Sequence, residues 1–228
     1  YPKNRKPKKF LRHFEEKISL ANLDLKKKLP NRNSKIYLGN SIDLIKSKRF
    51  KEKYKEKIDL CLFSPPYANC FDYTEVYKVE LWMGDFVREY SDLKALREKS
   101  LSSHLNKNFE GLASPEELKP YLKKIDINKL WSKKIYSMLI SYFYEMNILL
   151  MEIYKVLAKS GHCVIVIGNS AYSNKVIPSD IIFSNMAKNI GFSESKIVEA
   201  RKLGTSSQQL NKVDKPSLLR ESLVFLKK

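Results

Sequence analysis

The chain has 228 residues, with 43 Lys and Arg against 25 Asp and Glu for a formal net charge of +18, and 43% of its residues are hydrophobic. That is enough for one α/β domain with a sizeable core, and no apolar stretch reaches membrane-spanning length. A lysine-rich coding bias accounts for part of the positive surplus. The remainder points to a polyanionic partner, nucleic acid first.

In chain order, residues 1–34 form a basic arm in which Phe10, Leu11, Phe14 and Ile18 have the spacing of an amphipathic helix. Such an arm suits phosphate contacts or a link to an upstream domain. Its basic start is followed by no apolar core, unlike a secretory leader, which fits a reducing bacterial or archaeal cytoplasm. Next, "KIYLGNSIDLI" reads as a short strand, a Gly39–Asn40–Ser41 turn and a helix start with Ser41 as N-cap. "IDLCLF" reads as a strand buried on both faces of a parallel sheet. A long insertion follows, from residue 68 to about 128, and "YTEVYKVELWMGDF" within it has helical spacing. The clearest helix runs over residues 132–157, with Gly161 as its stop. "HCVIVIGNS" is a second buried strand, "SDIIFSNMAKNIGF" a helix stopped by Gly191, and "SKIVEARKL" and "ESLVFLKK" two closing strands. Alternating strands and helices predict an α/β fold, mostly parallel with an antiparallel edge strand.

Cys61, Cys70 and Cys163 lack metal-ligand spacing, and Cys61 and Cys163 read as small core residues. His104 and His162 do not form a metal pair, and no Ser/His/Asp motif supports hydrolysis.

The informative stretch is "FSPPYANCFDY". Two prolines fix φ, remove N–H donors and hold each preceding residue extended. Ser64, Pro65, Pro66 and Tyr67 therefore leave the strand as a stiff shelf, at the carboxyl end where open α/β sheets place ligands.

"SPPY" resembles the catalytic tetrapeptide of DNA amino-methyltransferases of the cytosine-N4 type; "DPPY" and "NPPY" are the usual adenine-N6 forms, with some crossover. "SPPYANCFDYTEVYKVELWMGDF", "LREKSLSSHL", "VIVIGNSAYSNKVIPSD", "RKLGTSSQQ" and "RESLVFLKK" resemble successive blocks of one subgroup, from about Lys35 to the end. The resemblance implies a Rossmann-like class I methyltransferase sheet over residues 35–228 and S-adenosyl-L-methionine as cofactor. It also implies double-stranded DNA as partner in a restriction–modification system, with the target base flipped out of the duplex. In the family, the Ser side chain and the first Pro carbonyl, here Ser64 and Pro65, accept hydrogen bonds from the target amino group. This is positioning and electrostatic catalysis. Tyr67 would stack on the base, and Gly39, Asn40, Ser41, Ser64 and Tyr67 would line the cofactor pocket.

Weaker candidates surround the shelf. Asp72 and Tyr73 could steady Tyr67 or face the cofactor, and Asp72 suits a helix N-cap equally well. Arg97, Lys99 and His104 suit phosphate contacts or a solvated helix end. Asn169 and Ser170 could contact the base or support the shelf, and Gln208 could read a base edge or belong to a plain loop.

The family's glycine-rich FxGxG turn is absent from the seven glycines of this chain, as is an evident ribose-binding carboxylate. Read in family order, the chain starts at the third strand and lacks the first two. The expectation is the carboxyl-terminal part of a catalytic domain, with the cofactor turn on another segment or chain. Adenine-N6 methylation, a non-catalytic DNA-binding subunit and RNA methylation are the alternatives.

Overall fold

The structure is a computed structural model describing residues 10–27, 34–107, 109, 111–204 and 213–228. It divides into two compact units, Tyr1–Leu38 and Gly39–Lys228.

The first unit holds helix α1 (Phe10–Lys26), which buries no residue and exposes Phe10, Leu11, Phe14 and Ile18. The strand expected at "KIYL" does not form. Ile36 and Leu38 are 97% and 95% exposed.

The second unit opens with α2 (Ser41–Lys46) and α3 (Lys48–Tyr54), then β1 (Ile58–Phe63). Asn40, rather than Ser41, caps α2, its side chain accepting from the N–H groups of Ile42 and Asp43. Among its described residues the insertion carries four short α-helices: α4 (Tyr73–Val76), α5 (Lys78–Met83), α6 (Tyr90–Lys99) and α7 (Lys119–Leu122). Then come α8 (Lys134–Val156), β2 (Leu157–Gly168), a hairpin of β3 (Ser170–Tyr172) and β4 (Lys175–Ile177), α9 (Ser179–Ile190), β5 (Glu194–Lys202) and β6 (Arg220–Lys227). No helix among the described residues is long and apolar enough to cross a membrane.

The main sheet is mixed, in the order β1-β2-β6-β5. β1 and β2 are parallel, and β6 and β5 add on antiparallel. The two closing strands and the Gly191 stop form as expected. Gly191 is left-handed (φ 117°), and its N–H and that of Phe192 return to the Ala187 carbonyl.

Among the described residues α8 supplies more of the core than any other element. Ile135, Met138, Leu139, Tyr142, Phe143, Met146, Leu150 and Ile153 are buried on it, against Phe183 and Met186 of α9 and Cys163, Ile165, Ile167, Val224 and Leu226 of the sheet. Each such apolar side chain contributes about 1.5–3 kcal/mol. The end of α8 differs from expectation. The N–H groups of Glu56 and Lys57 take the carbonyls of Lys155 and Val156, so the helix stops at Val156 and Leu157 starts β2. Gly161 lies in an irregularity of β2 instead. A Cβ there would come within 2.9 Å of the Ala158 and Ile58 carbonyls, which is why glycine is needed.

β1 is not buried on both faces. It is an edge strand of the described sheet. Cys61 and Phe63 pack on the core, while Leu60 and Leu62 are 56% and 63% exposed.

Candidate active site

The shelf leaves the end of β1 and is pinned from below. Tyr142, fully buried on α8, donates its hydroxyl to the Pro66 carbonyl at 2.8 Å. Ser170 and Tyr172 both donate to the Ala68 carbonyl, at 2.6 and 2.7 Å. The Asn69 N–H takes the Tyr67 carbonyl. Among the described residues no donor reaches the carbonyl of Pro65. Ser64 is exposed and donates its hydroxyl proton to the Val166 carbonyl at 3.1 Å. Its oxygen lone pairs are therefore left as acceptors beside Pro65.

Tyr67 is fixed at both ends. Its ring lies against Gly168, where a Cβ would come within 2.7 Å of the ring carbons. Its hydroxyl donates to Glu221 at 2.5 Å, and Arg201 donates to the other oxygen of that carboxylate at 2.5 Å. Burial and the bond to Glu221 push the Tyr67 phenol up to about 12. Arg201, then Tyr67, hold Glu221 below its ordinary value. The pair thus stays phenol and carboxylate throughout the physiological range.

Beside the shelf lies a polar hub that ties the insertion down. Asp72 caps α4 and pairs with Arg97 at 2.8 Å, and Arg97 also pairs with Glu75. Burial raises the Asp72 carboxyl, but bonds from Thr74 and Asn106 and the charge of Arg97 outweigh it and leave it lowered. Arg97 and His104 are buried, so the structure turns inward two side chains that the sequence offered to phosphates. The Asn106 N–H donates to His104 Nδ1, and Ser100 Oγ, whose proton goes to the Arg97 carbonyl, lies 3.2 Å from Nε2. These partners fit a neutral imidazole protonated on Nε2, and burial lowers its pKa accordingly. Lys99 remains exposed, and its carbonyl accepts from the Asn40 amide at 2.8 Å, joining the 39–41 turn to this segment. A cavity of about 230 Å³ lies between them, lined by Asn40, Ser41, Lys99 and Lys107. The Tyr73 hydroxyl lies 3.5 Å from the Tyr67 N–H, and its ring stacks on Tyr77.

Asn169 is also committed internally. Its amide donates to Asp180 and to the Leu218 carbonyl and accepts from the Asp180 N–H. Ser170 supports the shelf through Ala68. Gln208 lies outside the described residues. Tyr142, Tyr172, Asp180, Arg201 and Glu221 join the site without having been singled out in the sequence, since they come from elements far along the chain.

No protein-family model matches the chain. It is 33% identical over 166 residues to the type II methyltransferase M.AvaI of Nostoc sp., which covers 67% of this chain and 34% of that protein. It is 28% identical over 198 residues to the type II methyltransferase M.BsoBI of Geobacillus stearothermophilus, covering 75% and 38%. Its homologues are type II methyltransferases. The chain spans little more than a third of the length of these relatives. Among solved structures it has a looser likeness to TTHA0409 of Thermus thermophilus, a candidate DNA modification methylase. The TM-score is 0.39 at 12% identity, over 84% of this chain and 52% of that one. TTHA0409 has also been solved complexed with S-adenosyl-L-methionine.

Proposed function

We propose that the chain carries the base-facing part of an S-adenosylmethionine-dependent DNA methyltransferase of a restriction–modification system. It acts on the exocyclic amino group of a base drawn out of the duplex, N4 of cytosine. The observation that carries this reading is the acceptor pair at the end of β1: the Ser64 oxygen, with its proton held by Val166, and the Pro65 carbonyl, which no donor reaches among the described residues. The lone pair of an aromatic amino nitrogen is delocalised into the ring. Two acceptors that bind its two hydrogens favour a pyramidal nitrogen with a localised lone pair. Because Tyr142, Ser170 and Tyr172 fix the neighbouring carbonyls, the acceptors need little reorganisation during reaction. When bound, the cofactor supplies a methyl group on a sulfonium. Ser64 to Tyr67 and the Gly39–Asn40–Ser41 turn would line its pocket. The proton displaced from the amino group leaves to solvent past exposed Ser64.

The "SPPY" form supports cytosine over adenine. Mass spectrometry of nucleosides from DNA treated with the catalytically competent protein is expected to give N4-methylcytosine. N6-methyladenine alone would move the reading to the adenine enzymes, and no methylated base at all would favour the non-catalytic DNA-binding subunit.

A glycine-rich segment, in the same or another polypeptide, completes the cofactor pocket in this reading. Its support is the lack of clustered glycines and the exposure of Leu60 and Leu62 on the edge strand. Calorimetry on the 228 residues is expected to detect no micromolar binding of S-adenosylmethionine. Micromolar binding would mean that these residues hold a complete cofactor site.

A further inference from the structure

α5 is a helix of six residues that buries none of them. Val79, Trp82 and Met83 recur at i, i+3 and i+4, which places them on one face. All three are exposed, Met83 at 86%. Of the apolar residues of α5, Leu81 alone is half-buried. The chain then turns back, the N–H groups of Asp85 and Phe86 taking the carbonyls of Trp82 and Leu81. The Phe86 ring lies over Gly84, where a Cβ would come within 2.7 Å of it, and stays 73% exposed. A helix this short has little stability of its own. Arg97 secures the segment through Asp72 and Glu75, so its apolar side chains are held on the outside of a built structure. Exposed aromatic and apolar side chains clustered in this way mark an interaction surface.

Charge decides the kind of partner. Residues 75–92 carry Glu75, Glu80, Asp85, Glu89 and Asp92 against Lys78 and Arg88, within a chain of net charge +18. Such a surface repels a phosphate backbone and suits a basic partner with an apolar face. The chain's own sequence contains a segment of that chemistry. Lys3, Arg5, Lys6, Lys8 and Lys9 lead into α1, where Phe10, Phe14 and Ile18 recur at helical spacing. The Phe10 and Phe14 rings stack with centroids 5.9 Å apart, and α1 buries no residue.

We propose that the α5–Phe86 surface receives the basic arm of a second copy of this chain. The apolar stripe of α1 lies on Val79, Trp82, Met83 and Phe86, and the lysines ahead of it face the surrounding carboxylates. Reciprocal exchange of the two arms closes a two-fold dimer. Two such surfaces placed face to face would oppose like charges, which favours arm against surface. The proposal does not rest on the methyltransferase reading.

The test is the mass of the intact chain in solution, by sedimentation velocity over a concentration series. The expected result is a dimer. Met83→Lys, which puts a cation where the basic arm docks, should weaken it about 10-fold, the scale of one central interface residue. The double variant Phe10→Asp with Phe14→Asp should do the same from the arm. Mixing the two variants should form a dimer that neither forms alone, since one copy keeps its arm and the other its surface. A monomeric wild type, a dimer that either variant leaves unchanged, or a mixture no more associated than its components would overturn the proposal. Loss of duplex DNA binding in Trp82→Ala, with the mass unchanged, would give the surface to nucleic acid and overturn it equally. Because Met83, Phe10 and Phe14 are exposed, an unchanged circular dichroism spectrum separates these results from misfolding.

Discussion

Ser64→Ala in the catalytically competent protein is expected to lower the methyl-transfer rate about 100-fold while leaving the fold intact. Ser64 is exposed, and its hydroxyl bonds the Val166 carbonyl rather than filling the core, so its removal opens no cavity there. What is lost is an acceptor aimed at the reacting amino group. Removing one preorganised polar group from such a site typically costs roughly 10²–10³ in rate. Ser64→Thr, which keeps the hydroxyl, should retain more activity than Ser64→Ala. Glu221→Gln in the same assay should give a smaller drop: Tyr67 keeps a hydrogen-bond partner, but Arg201 loses the charge that orients the pair. Turnover unchanged by Ser64→Ala would remove the acceptor role from the shelf.

The largest loss of stability is expected from Asp180→Ala. Asp180 is fully buried at the start of α9. One of its oxygens accepts from Asn169 and from the Ile181 N–H, and the other accepts from Arg220 and Ser222, each at 2.9 Å. Truncation removes the nearer carboxylate of a largely buried guanidinium, leaving it only Glu199 at 3.8 Å, and strands three other donors. Breaking a buried pair in this way costs about 3–5 kcal/mol, a fall of roughly 10 °C in melting temperature for a chain of this size. The effect also reaches the site. Asp180 holds Asn169, and the next residue, Ser170, clamps the Ala68 carbonyl under the shelf. In the double variant Asp180→Ala with Arg220→Met, part of the loss should return because the uncompensated charge is gone. Calorimetric melting of the two single variants and the double variant reads this out. Simple additivity would show that the network does not act as a unit.

Features that depend on neighbours along the chain were legible before folding. Pro65 and Pro66 dictate a stiff extended exit from β1 whatever surrounds them, and Gly191 permits the left-handed end of α9. On α8 the stripe of Leu139, Phe143, Met146, Leu150 and Ile153 specifies one buried face. The β5 and β6 segments carry enough apolar and β-branched residues to declare themselves strands.

Features that depend on a partner distant in sequence emerged only with the fold. "KIYL" has strand composition yet forms no strand, and "IDLCLF" is apolar on both faces yet lies at the edge of the described sheet. α8 ends where the backbone of Glu56 and Lys57 claims its last carbonyls, rather than at the nearest glycine. In the site, a motif of four residues was legible while its support was not. Tyr142, Tyr172 and Glu221 follow the shelf by 76, 104 and 154 residues along the chain from the groups they bond. Arg97, polar in a polar stretch, turned inward because Asp72 and Glu75 offered it partners that only folding brings near. A side chain's type sets which bonds it can make, and the fold sets which partners lie within reach.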